Sequence, residues 1–163
     1  MAEAGVGAAR VFEVYIKASP RAIWDAVTLP EWNERYGYRA RSEYELRPGG
    51  AFRAYAGEAM KAYGAPDVVV DGEVLEVDPP HRLVQTYRFL WDPALEAEGF
   101  TKVTWEIGKP YQGVTKVTLR HEVAGAPLTE AQVTGQVAET RGGWAMILSD
   151  LKTLLETGKP MVE

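Results

Sequence analysis

From Arg39 to Glu122 the chain returns again and again to one pattern: apolar and polar residues alternate, and the runs are broken by Gly- and Pro-rich turns. Alternation sends successive side chains to opposite faces, so each run is a strand with one face to bury. Arg39–Arg47 carries Tyr44 and Leu46 on one face. Pro48-Gly49-Gly50 turns the chain and Ala51–Tyr55 returns, which makes a hairpin. Val68–Val77 is strongly β-branched and closes at Asp78-Pro79-Pro80. Leu83–Phe89 places Leu83, Gln85, Tyr87 and Phe89 together. Lys102–Gly108 sets Val103, Trp105 and Ile107 against Lys102, Thr104 and Glu106. Val114–Glu122 places Thr115, Val117, Leu119 and His121 on one face. An antiparallel sheet with one polar face must cover the other.

One stretch is long enough to do so. In Arg141–Gly158, Trp144, Leu148, Leu151 and Leu155 recur at helical spacing, and Ile147 and Leu154 widen the stripe. Ser149, Asp150, Lys152 and Glu156 are expected largely on the other side. Gly158-Lys159-Pro160 ends the helix, and Gly142-Gly143 separates it from the helix-compatible Glu130–Glu139. Ahead of the sheet, Arg10–Lys17 reads as a strand that buries Phe12, Val14 and Ile16. Ser19-Pro20 opens a helix with Ile23, Trp24 and Val27 on its apolar side. A second short helix or turn follows around Pro30–Arg35. Residues 56–67 read as a loop with at most a short helical turn, and Leu90–Phe100 as a loop. A flexible N-terminus over 1–9, a single domain over 10–159 and a tail over 160–163 are expected.

The 163 residues are 46% hydrophobic and 25% charged, as a folded domain requires. A net charge of −5 argues against non-specific binding to nucleic acid, which needs a basic surface. There is no cysteine, so disulfides, zinc–thiolate sites and cysteine nucleophiles are excluded. No signal peptide or membrane span is legible, and a cytoplasmic protein is the expectation.

Four stretches carry a resemblance: Ile16–Trp24 (IKASPRAIW), Arg47–Arg53 (RPGGAFR), Gly72–Pro80 (GEVLEVDPP) with Arg82-Leu83-Val84, and Gly143-Trp144 opening the last helix. Their order and spacing resemble the activator of Hsp90 ATPase homologue 1-like family, within the START-like (SRPBCC, birch-pollen-allergen-like) superfamily. The resemblance implies an α+β helix-grip fold, in which a curved antiparallel sheet wraps the C-terminal helix around a cavity and two short helices close one end. The family's namesake binds Hsp90 and stimulates its ATPase. Others in the superfamily bind lipids, polyketides or hormones, and some catalyse cyclisation or dehydration.

The residues themselves offer little catalytic chemistry. His81 and His121 are the only histidines and neither has a metal-binding spacing, so no metal and no cofactor is expected. His81 belongs to a turn. His121 lies either near the mouth of a cavity, as a polar handle or base, or at a strand end as a satisfied histidine. No Ser-His-Asp pattern, nucleophile elbow or phosphate loop is present, and no catalytic residue is assigned. Glu73 and Glu76 fall on opposite faces by parity, and Arg53 and Arg88 read as solvated strand residues. The aromatics are the stronger signal: five Trp and eight Tyr in a chain of this length. Trp24, Trp32, Tyr44, Phe52, Tyr87, Trp105 and Trp144 are expected inside, with Leu148 and His121, where they either fill a core or line a ligand cavity. A binding module for a small hydrophobic molecule is the first expectation. An Hsp90-type chaperone partner is the second and a cavity enzyme the third. The chain is expected to be a monomer or a homodimer.

Overall fold

The structure is a computed structural model that describes residues 9–161. Of the expected flexible N-terminus, residues 1–8 lie outside the described residues, while Ala9 already belongs to the first strand. Residues 162–163 of the expected tail also lie outside them.

Among the described residues the strands are β1 (Ala9–Ile16), β2 (Arg41–Tyr44), β3 (Ala51–Tyr55), β4 (Val68–Asp78), β5 (Arg82–Phe89), β6 (Thr101–Ile107) and β7 (Thr115–Glu122). They form one antiparallel sheet in the order β1-β7-β6-β5-β4-β3-β2. The helices are α1 (Pro20–Thr28), α2 (Pro30–Asn33), α3 (Glu58–Ala62), α4 (Pro93–Ala97), α5 (Pro127–Val133) and α6 (Gly143–Thr157), with a 3₁₀ turn at Ala138–Thr140. This is the helix-grip α+β arrangement. Because β1 and β2 are opposite edges, α1 and α2 carry the chain from one side of the sheet to the other. Ser19 caps α1 by accepting the Ala22 N–H, with Pro20 in the first turn.

The alternation delivers the core. Leu83, Val103, Val117 and Leu119 from the sheet meet Ile16, Ile23, Leu148, Leu151 and Leu154. The long helix is not centred over the sheet. Helix α6 lies chiefly against β1, with lighter contact to α1 and α5. Lys152 Nζ donates to the Tyr15 carbonyl at 2.5 Å, and Glu156 accepts the Lys17 N–H at 2.8 Å, which fixes the helix to that edge. The concave side of β2–β5 is therefore left partly uncovered.

Three local features differ from the sequence expectation. Asp150, expected on the solvent side of α6, is buried. One oxygen accepts the Gly37 N–H at 2.9 Å and the other the Met161 N–H at 2.5 Å. The chain folds back over both ends of that carboxylate, which helical periodicity within α6 cannot foresee. Glu73 and Glu76 are both exposed, because a register shift between Val74 and Glu76 inserts Leu75 as a bulge and reverses the parity. Helix α4 occupies a stretch read as loop, although its signature was present: Asp92 caps the Ala94 N–H and Pro93 follows.

Gly72 is demanded by close packing of β4 on β5. A Cβ there would stand 1.9 Å from the Thr86 carbonyl oxygen. Gly72→Ala is expected to lower stability by about 2 kcal/mol, since backbone rather than a flexible side chain must give way. Thermal unfolding measures it, and an unchanged midpoint would refute the assignment.

Candidate functional site

The uncovered half of the sheet forms the floor of a cavity of about 1250 Å³. Strands β2, β3 and β5 supply Tyr44, Phe52, Tyr87 and Phe89, β6 supplies Trp105, and the first turn of α6 supplies Trp144. All are inward positions of their strands or of the helix stripe. Their rings form a connected wall. Tyr44 stacks on Phe52 at 4.7 Å between centroids, and Phe52 on Tyr87 at 6.0 Å. Tyr87 meets Phe89 edge-on at 5.3 Å and Trp144 at 5.8 Å, and Trp144 meets Trp105 edge-on at 5.8 Å. Such offset and edge contacts are the favoured aromatic geometries. The opposite side is made by Met60 and Tyr63 around α3 and by Met146 and Ile147 of α6. Tyr63 is 94% exposed, so the cavity opens to solvent on that side. The charged residues along it, Arg39, Glu58, Glu139 and Arg141, are all exposed and stand at its rim.

Buried polar groups hold the frame. Asn33 donates to the carbonyls of Val27 and Ser42 and accepts the Ser42 N–H, which ties α1 and α2 to β2. The Tyr38 hydroxyl donates to the Thr140 carbonyl and accepts the Gly143 N–H, so a tyrosine caps the start of α6. Gly143 has φ +62°, and a Cβ would stand 2.1 Å from the Val133 carbonyl oxygen, so the helix entry requires glycine. The Tyr44 hydroxyl donates to Gln85 Oε1 at 3.2 Å, whereas Gln85 Nε2 is buried without a partner. Burial above all keeps the hydroxyls of Tyr44 and Tyr87 protonated far above their usual range.

His121 lies behind this wall with no exposure. Trp144 Nε1–H donates to its Nδ1 at 3.0 Å, and its Nε2 lies 2.7 Å from Thr101 Oγ1. Thr101 gives its only hydroxyl proton to the Tyr87 carbonyl, so Nε2 must carry the proton and donate. Both ring nitrogens are thus satisfied in the neutral form alone. Burial pushes the pKa down to about 3. A second proton would have to enter at Nδ1, against the indole N–H. The residue that sequence placed either near a mouth or at a satisfied strand end is the latter. Among the described residues, no group of three or more His, Asp or Glu side chains is gathered for a metal ion.

The family described as activator of Hsp90 ATPase homolog 1-like protein matches residues 17–156. The chain belongs to this family. Solved structures similar to it carry the same fold. An HSP90 activator from Plasmodium falciparum is 20% identical, with a TM-score of 0.62, covering 94% of this chain and 99% of that one. The Aha1 dimer from Colwellia psychrerythraea is 17% identical, with a TM-score of 0.66, covering 93% and 98%. CalU16 from Micromonospora echinospora is 19% identical, with a TM-score of 0.66, covering 94% and 77%. No curated protein is significantly similar.

Within this member of the activator-like family, the structure brings Tyr44, Phe52, Tyr87, Trp105 and Trp144 together on the cavity wall. Trp24 and Leu148 are packed in the core, behind the wall. Trp32 is half-buried under the Arg35 guanidinium, 4.6 Å from its ring. Tyr38, Met60, Phe89 and Trp91 also line the cavity and were not singled out from sequence. Phe89 shares parity with Tyr87 on β5, so alternation alone could have found it. Tyr38 lies in an irregular segment, and Met60 in the five-residue α3, which is too short to show a period. Arg53 is exposed on β3, as expected, whereas Arg88 is half-buried, forks onto Asp71 at 2.8 and 3.0 Å and covers the Phe100 ring.

Proposed function

We propose that this chain is a binding module whose cavity takes a small, largely apolar molecule. The observation that carries the reading is the continuous aromatic wall from Tyr44 to Trp105 beside about 1250 Å³ of unfilled space. A core that merely needed filling would have closed over these rings. The volume is above the roughly 300–1,000 Å³ of an enclosed small-molecule pocket, because the cavity is open to solvent beside Tyr63, and it leaves room for a small ligand against the aromatic wall. His121 is a structural support for Trp144 in this reading, and no residue is assigned a catalytic role. Native mass spectrometry of the purified protein, with a fluorescence titration using Nile red, tests it. A stoichiometric adduct lost on denaturation, or saturable one-to-one Nile red binding, is expected. Absence of both overturns the reading.

Membership of the activator-like family favours a second reading, in which the chain docks on an Hsp90-type chaperone. Stimulation of a purified Hsp90 ATPase by this protein supports it, and no stimulation at excess removes it.

A further inference from the structure

One hydroxyl on the cavity floor, that of Tyr87, has no structural necessity. Tyr87 is enclosed by the rings of Phe52, Phe89, His121 and Trp144, contacts that phenylalanine would make equally well. Its hydroxyl has no hydrogen-bond partner among the described residues, and it is not sealed from solvent as the Gln85 amide is. Tyr87 projects inward from β5 and lines the cavity. Beside it on the same ring ladder, Tyr44 spends its proton on Gln85, a side chain 1% exposed whose Nε2 is left unpaired. Burying an amide this way costs free energy that an apolar residue would avoid. Gln85 and Tyr87 are alternate residues of β5, and the Phe52 ring stacks on both tyrosines, which places the two phenols in one neighbourhood.

Both groups are neutral. The charges that line the cavity, Arg39, Glu58, Glu139 and Arg141, are exposed at the rim and balance two against two. The floor therefore offers an unspent O–H donor and a second phenolic oxygen, set in aromatic surface, with no cation.

We propose that the Tyr87 hydroxyl, with the Gln85-anchored Tyr44 beside it, is a specificity subsite that binds a neutral oxygen acceptor such as a ketone carbonyl on a flat apolar ligand. The inference rests on the cavity reading above and adds the chemical class of its occupant. A pure hydrocarbon leaves the donor unpaired, and a carboxylate is buried there without a counter-ion.

Matched probes separate the two claims. Quenching of tryptophan fluorescence is titrated with 9-fluorenone, which carries the carbonyl, with fluorene, which lacks it, and with fluorene-9-carboxylate. The expected order is fluorenone ahead of fluorene by about fivefold, one net hydrogen bond, with the carboxylate weakest. Tyr87→Phe is expected to bring fluorenone and fluorene to parity while fluorene affinity and the thermal midpoint stay unchanged, because the hydroxyl holds nothing in the protein. A purely structural tyrosine would shift the midpoint and leave the ratio alone. Equal wild-type affinity for fluorenone and fluorene, or tighter binding of the carboxylate, overturns the subsite and leaves the cavity reading standing. Failure of all three probes to bind removes both.

Discussion

Lowering the pH from 7 to 4.5 is expected to destabilise the protein by about 2.5 kcal/mol through His121 alone, over and above its carboxylates. The ring is neutral in the fold and its pKa is pushed down to about 3 by burial. In the unfolded chain it titrates near the ordinary value of about 6.5. Between those values the unfolded state binds a proton that the folded state refuses, so stability is full above about 6.5 and falls as the pH drops towards about 3. Geometry sets the refusal as much as burial does: Nδ1 already accepts the Trp144 indole N–H, and Nε2 already donates to Thr101. His121→Gln keeps one donor and one acceptor but does not titrate. Denaturant unfolding at both pH values is the measurement, and the variant should lose less stability on acidification than wild type. Equal losses would show that His121 is not held neutral.

Asp150→Ala is expected to cost about 3 kcal/mol, two charge-assisted hydrogen bonds to backbone N–H groups. In a chain of this length that corresponds to roughly 9 °C in the unfolding midpoint. The carboxylate clamps Gly37, in the turn after α2, and Met161, beyond the end of α6. Gly37 and Tyr38 lie on the cavity side, and Tyr38 caps α6, so loss of the clamp loosens both the helix start and one wall. Asp150→Asn keeps one acceptor and should cost about half as much. A midpoint within a degree of wild type for Asp150→Ala would refute the clamp.

How much of this was legible beforehand depends on the range of the interaction that decides each feature. Strand β3 has the bounds that alternation and the Pro48-Gly49-Gly50 turn indicate, and β4 and β5 fall within one residue of theirs. Helix α6 starts after Gly142 and stops at Gly158, whose left-handed cap conformation is a local property of glycine. Aromatic identity and strand parity likewise point Tyr44, Phe52, Tyr87 and Trp105 inward.

The amino-acid sequence by itself determined most of the elements, the inward faces of the strands and the family, because periodicity, capping and turn chemistry act over a few residues. Tertiary structure decided the rest. The lateral seat of α6 on β1 leaves the β2–β5 half open, and it depends on Lys152 and Glu156 reaching backbone 137 and 139 residues away. The burial of Asp150 needs chain from positions 37 and 161. The neutrality of His121 needs Thr101 and Trp144, 20 and 23 residues distant. Hydrogen bonds between groups so far apart leave no period in the chain, so neither the open cavity nor the silent histidine can be read until the parts have met.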